Sequence, residues 1–160
     1  MNDVVIRPLA GAAEARFCAD FMAASEPWLT LGLTQARIFN SLMGSSREAH
    51  VATVGNQILG VLILHLAGPL NGYIQTLAVP PEWRGGGTGG QMMDFAEPRI
   101  FQQSPNVFLC VSSFNHRAQN FYERRGYLRV GELPDYLAKG FSEILMRKTH
   151  GPWLAFSAES

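Results

Sequence analysis

Apolar positions recur with a two-residue period in some stretches of the chain and at three- and four-residue spacing in others, and the switches between the two predict its elements. Val4 to Arg7 reads as a short strand stopped by Pro8, after which Ala13, Phe17, Cys18, Phe21 and Met22 mark one face of a helix from about Gly11 to Ala24. Ser25 to Gly32 is irregular, and a second helix follows Thr34, a predicted N-cap, through Ile38, Phe39, Leu42 and Met43. Glu48 to Val54 and Gln57 to Leu66 are β-type runs joined by Gly55-Asn56, a two-residue hairpin signal that pairs them antiparallel. Gly68-Pro69 and Asn71-Gly72 turn the chain into Tyr73 to Val79, a third run of strand length ended by Pro80 and Pro81.

Beyond a glycine-rich turn, Gln91, Met92, Met93, Phe95 and Ala96 open a helix expected to reach about Phe101, with Pro98 kinking or terminating it early. Val107 to Val111 is a continuous apolar run, as expected of a buried strand lying parallel to the preceding one across a helical crossover. Asn115 caps a helix through Arg125 with Ala118, Phe121 and Tyr122 on its inner face, Gly126 closes it, and Tyr127 to Gly131 and Phe141 to Lys148 complete the strands. The resulting order β-α-α-β-β-β-α-β-α-β-β predicts a mixed α/β fold with an antiparallel first half, a single domain over 1–150 and a C-terminal tail over 151–160.

Composition narrows the function classes. A chain of 160 residues, 47% hydrophobic, is long enough to bury about 70% of its unfolded surface in one core. The formal net charge of zero and the scattered arginines provide no basic footprint for nucleic acid. The two cysteines, Cys18 and Cys110, lie in apolar runs without metal-ligand spacing, so reduced buried thiols, a cytoplasmic location and no metal are expected. The longest apolar run, Ile58 to Leu64, is far short of a membrane span, and the N-terminus has no signal-like pattern.

The chemistry concentrates where the strand ending at Val79 meets Arg84-Gly85-Gly86-Gly87-Thr88-Gly89-Gly90. A glycine turn leading into a helix presents free amides and the positive end of the helix dipole to an anion. A Walker-type loop needs lysine and a hydroxyl where Gln91 follows Gly90, so that reading fails. Gly85, Gly87 and Gly90 formally meet the dinucleotide fingerprint, but the next strand ends in Ser112-Ser113 with no acidic partner for a ribose. Arg84-Gly85-Gly86-Gly87-Thr88-Gly89, preceded by Leu77-Ala78-Val79-Pro80-Pro81-Glu82-Trp83, resembles the acetyl-CoA motif of the GNAT N-acetyltransferase superfamily. Asn115 to Tyr127 resembles that family's other signature, Asn-x-x-Ala-x-x-x-Tyr-x-x-x-Gly-Phe, with Tyr127 in place of the common Phe.

The resemblance implies the GNAT fold, acetyl-CoA as cosubstrate, and acetyl transfer to a primary amine of a small molecule or peptide by direct attack. It places pantetheine against Leu77, Ala78 and Val79, the pyrophosphate on amides of Arg84 to Gly90, Asn115 and Ala118 beside the pantetheine arm, and Tyr122 at the thioester sulfur as proton donor. A homodimer is compatible with it; a silent acyl-CoA-binding module, which does not need Tyr122, is the alternative. Some family members carry a glutamate on the fourth strand as general base, whereas this chain offers Tyr73, Gln75 and Thr76, which leaves Glu26, His65, His116 and Glu143 as candidates. The family places its acceptor between the first helical loop and the last two strands. That location gives Glu26, Trp28, Asp135 and Tyr136 as an acceptor pocket suited to a cationic amine.

Overall fold

The computed structural model describes residues 3–158 and contains one seven-stranded sheet flanked by helices on both faces. The strands are β1 (Val5–Pro8), β2 (Glu48–Val54), β3 (Gln57–His65), β4 (Tyr73–Ala78), β5 (Asn106–Ser112), β6 (Leu128–Pro134) and β7 (Ser142–Thr149). The α-helices are α1 (Gly11–Ala23), α2 (Trp28–Leu31), α3 (Gln35–Leu42), α4 (Thr88–Phe101) and α5 (His116–Arg124). Along the sheet the order is β1-β2-β3-β4-β5-β7-β6, with β4 and β5 parallel and every other neighbouring pair antiparallel.

Strand parity sorts the side chains into two cores. Leu62, Leu64, Ile74, Leu109, Val111, Ile144 and Met146 face α4 and α5, where they meet Met92, Met93, Ala96, Ile100 and Tyr122. Val51, Val61, Ile63 and Ala78 face the other way, against Ala15, Cys18, Ala19 and Met22 of α1 and Ile38 and Leu42 of α3. Three buried or half-buried ion pairs fasten the layers. Glu97 of α4 accepts from Lys148 of β7 at 2.8 Å and from the Tyr127 hydroxyl at 3.2 Å, Arg99 grips Glu48 through two bonds of 2.7 and 2.9 Å, and Arg7 grips Glu14 in the same manner.

The element order matches expectation with three local differences. Ser25 to Gly32 contains one helical turn, α2, closed by Gly32 at φ 71°. Pro98 does not terminate α4: it lies in the last turn, where its ring forfeits one bond to the carbonyl four residues back, while Ile100 just beyond is fully buried and holds the turn against the sheet. Pro8 is the last residue of β1 rather than its stop, which an edge strand tolerates because its outward amide needs no partner.

The feature that positions the site is a break in the sheet. β4 and β5 pair only through Tyr73 with Phe108 and Ile74 with Leu109; from Gln75 and Cys110 onward the two strands have no ladder partners for each other. β4 is also irregular there, because its register against β3 skips Gln75.

Candidate active site

A cleft of about 470 Å³ fills the opening between β4 and β5 and runs through the sheet from the α4/α5 face to the α1/α3 face. Its entrance is the glycine turn. A 3-10 turn, Pro81–Trp83, brings the chain off β4, and its Arg84 amide bonds to the Pro81 carbonyl at 3.3 Å. Gly85 at φ 81° and Gly87 at φ 88° then take the left-handed conformation that glycine adopts without a Cβ penalty, and Gly87 caps α4. Among the described residues no acceptor takes the amides of Gly85 to Gly90, so these N–H groups and the α4 dipole are directed at the cleft mouth. The Arg84 amide, expected in that set, is already used. Gly89 and Gly90 need no glycine for the fold's own sake: a Cβ would sit at 3.7 Å from Phe121 and 3.9 Å from Arg125, ordinary contact distances. Their missing side chains instead leave room on the open side of the turn.

The Arg84 side chain serves the protein itself. Its Nε donates to the Val79 carbonyl at 2.9 Å and its Nη2 to the Glu26 carbonyl at 3.4 Å, joining the end of β4 to the start of α2. Burial, with the nearby Arg117, pulls its pKa below the ordinary guanidinium value, the direction expected of a cation that would welcome an anion. Arg117 and Arg124 also line the cleft, and neither makes a side-chain hydrogen bond among the described residues.

On the α4/α5 face, α5 starts where β5 ends. Asn115 Oδ1 accepts from the Ala118 amide at 3.2 Å, so its side chain is the helix cap, and Gln119 holds the Ser112 and Ser113 carbonyls at 3.1 and 3.0 Å. This pinning orients Tyr122, which is 8% exposed, lines the cleft and makes no side-chain hydrogen bond among the described residues. Burial raises its phenol pKa above the ordinary value, so the hydroxyl keeps its proton throughout the neutral range and is always a donor.

The sequence-derived positions distribute unevenly over the cleft. Leu77, Val79, Arg84, Gly85, Gly87, Thr88, Gly89, Gly90, Asn115, Ala118 and Tyr122 line it, whereas Ala78 is buried against α1 and α3 and Gly86 is outside its lining. On the opposite face Glu26 and Trp28 line it, Trp28 while also packing on the core. The Glu26 carboxylate accepts from the Thr30 amide at 3.1 Å and hydroxyl at 2.6 Å, which makes it the brace of α2. Asp135 and Tyr136 stand outside the lining; the Asp135 carboxylate accepts from the Gly140 amide at 2.6 Å and closes the β6–β7 loop, where its backbone has φ 53°. The neighbouring Leu137 reaches the cleft instead; it and Leu31 lie within the segments Glu26 to Leu31 and Pro134 to Ser142 expected to hold the acceptor but were not singled out there, and Cys110 and Ser112 were not expected in the cleft.

Of the candidate bases, His65 lies outside the lining and bonds Gln75 through Nε2 at 2.9 Å, and Gln75 in turn donates to Ser41 at 2.6 Å. His116 is exposed at the start of α5. Glu143 is 3% exposed, lines the cleft, and accepts from the Ser112 hydroxyl at 2.7 Å. Burial raises its pKa above the usual carboxylate range, against the opposing effect of the Ser112 bond.

Comparison with known proteins places this architecture. Residues 14–127 match the model of the acetyltransferase (GNAT) family. An uncharacterized protein of Mycobacterium leprae is 28% identical over 143 residues, covering 84% of this chain, while the chain spans 36% of that protein's length. Among solved structures, the aminoglycoside 6'-N-acetyltransferase of Enterococcus faecium matches with a TM-score of 0.69 at 17% identity, over 92% of this chain and 98% of the other. The ribosomal-protein-S18-alanine N-acetyltransferase of Escherichia coli matches with a TM-score of 0.72 at 16% identity, over 96% of this chain and all 100% of the other. An aminoglycoside 6'-N-acetyltransferase complexed with coenzyme A has the same fold, with a TM-score of 0.71 at 17% identity over 92% and 98%. With the family model covering 14–127 and the sheet opening beside a glycine-rich helix N-terminus, the chain belongs to the GNAT acetyltransferase family.

Proposed function

We propose that the protein transfers an acetyl group from acetyl-CoA to a primary amine by direct attack. The observation that carries the reading is the continuity of the cleft: unpaired amides of Gly85 to Gly90 at one end, open strand edges along its length, and Tyr122 beside it. The amides suit a pyrophosphate, and the free edges of β4 and β5 suit the amide groups of a pantetheine arm. Acetyl-CoA supplies the activated acyl carbon when bound. The chain's own residues then do three things. The amide turn fixes the phosphates, the strand edges align the arm so that the thioester lies at the sheet opening, and the Tyr122 hydroxyl hydrogen-bonds the sulfur as the C–S bond breaks.

The neighbouring structures bear names that span aminoglycosides and a ribosomal protein, so the family does not choose the acceptor. In this chain the acceptor side is formed by Trp28, Leu31 and Leu137, with Glu26 at its edge, and we assign the acceptor amine to that side. The two unpaired thiols, Cys18 with its pKa pushed up to about 12 by burial, agree with a cytoplasmic setting. Among the described residues no helix is long and apolar enough to cross a membrane.

Thermal unfolding with and without ligand tests the reading. Coenzyme A at a hundredfold excess over its Kd stabilises the fold by about 2.7 kcal/mol, and NADH does not. Stabilisation by NADH and none by coenzyme A removes the proposal.

A further inference from the structure

Resting on the acetyl-transfer reading, we propose that Glu143 is the residue that takes the proton from the acceptor's ammonium group, in place of a base on β4. β4 presents Gln75 at its irregular position, and that amide is committed to His65 and Ser41. Glu143 comes from β7. The antiparallel register of β7 with β5 sets Glu143 directly opposite Ser112, and the core positions Ile144 and Val111 fix both side chains on the α1/α3 face. Tyr122 comes from the other face, and at the sheet opening the phenol and the carboxylate border the same cavity.

The surroundings of Glu143 suit that task. Cys110 of β5 and Tyr73 of β4 both feel the Glu143 charge, and both have pKa values raised chiefly by burial, so both are neutral in the neutral range. Tyr136 of the β6–β7 loop adds slightly to the rise at Tyr73, and Glu26 also lines the cleft. No cation is paired with Glu143 among the described residues, and Ser112 Oγ is its one hydrogen-bond donor there. An ammonium entering along Trp28, Leu31 and Leu137 therefore meets a desolvated, uncompensated carboxylate. Such a group attracts the cation and has enough basicity to accept its proton. The apolar walls select an amine carried on an aliphatic or aromatic body over an acidic one.

The step balances as follows. Glu143 takes one proton from R–NH3+, the nitrogen lone pair forms the C–N bond to the acetyl carbonyl carbon, and the C–S bond breaks with its electron pair on sulfur. The Tyr122 hydroxyl gives a proton to that sulfur and is replenished by the second N–H proton. The proton on Glu143 passes to solvent, and the amide and the free thiol remain.

Phenethylamine and hexylamine serve as acceptors, and Glu143→Gln is the test. The variant retains the Ser112 partner and removes a buried charge. A carboxyl with a raised folded pKa loses stability as pH climbs from the unfolded value to the folded one, so the variant is as stable as wild type or more stable above that window. Its kcat/KM at neutral pH falls about 10²-fold, the deficit shrinks as rising pH deprotonates the amine itself, and coenzyme A still stabilises it to the wild-type extent. Ser112→Ala removes the donor that favours the charged carboxylate. It moves the acid limb of the pH profile upward and shifts the Glu143 carboxyl resonance, followed by 13C NMR, to a higher titration midpoint. A wild-type pH profile in Glu143→Gln, a Glu143 resonance that titrates in the ordinary carboxylate range, or a wild-type protein that binds coenzyme A but acetylates neither amine overturns the assignment. Absence of coenzyme A stabilisation in wild type and variant alike overturns it through the parent reading, and the thermal data separate that failure from the others.

Discussion

The Tyr122 ring meets Phe121 edge-on at 5.1 Å and Tyr127 at 5.7 Å, contacts that a phenylalanine at 122 would keep. Tyr122→Phe therefore preserves the melting temperature and the KM for acetyl-CoA while kcat falls by about 10²-fold in a chemistry-limited assay. Full turnover in that variant makes Tyr122 a packing residue. Helical spacing alone put Ala118, Phe121 and Tyr122 on the inner face of α5 with Asn115 as its cap, because a helix fixes which residues share a face. Asp135 was harder. Pro134-Asp135 carries a turn signal as readily as a binding role, and only the bond to Gly140 across the loop decides between them. Glu143 was legible as a candidate but not as a cleft residue, since its position depends on pairing with a strand about thirty residues earlier.

At the scale of elements, the glycine turn separates two uses of one residue type. Gly87 is required by its backbone, whereas Gly89 has ordinary φ and space for a Cβ. Gly89→Val therefore leaves an intact fold, since valine is no worse a helix former than glycine at an ordinary φ, and abolishes stabilisation by coenzyme A through its bulk at the turn. Gly87→Val abolishes it too and, because its φ of 88° strains a β-branched residue, also lowers the melting temperature. Unimpaired coenzyme A stabilisation in Gly89→Val argues against the turn as the phosphate site. The sequence read most elements to within a residue or two because their signals are local: the Thr34 and Asn115 caps, the Gly55-Asn56 hairpin, the closing Gly126. It missed α2, because four residues are too few to show a helical period. It had α4 reaching about Phe101 but left Pro98 to kink or end it early; early termination does not occur, and the burial of Ile100 that outweighs the lost bond is a tertiary effect.

At the scale of the molecule, local pattern predicted the strands, the β2–β3 hairpin and the parallel β4–β5 crossover, but not the rest of the long-range pairing. The insertion of β7 between β5 and β6, and the parting of β4 from β5, arise from contacts between distant segments and leave no local trace. The parting divides the sheet into a four-stranded half, β1 to β4, and a three-stranded half, β5, β7 and β6, laced together by two residue pairs and bridged by α4. A seam this short is where the sheet opens at least cost, and its exposed edges resemble those of a sheet lacking one strand. A bound pantetheine arm would stitch that seam from within. Amide hydrogen exchange at Gln75 to Ala78 and Cys110 to Ser112 then slows when coenzyme A is added, more than at the continuous β2–β3 ladder. Equal slowing everywhere would mean that the ligand stabilises the fold without mending its seam.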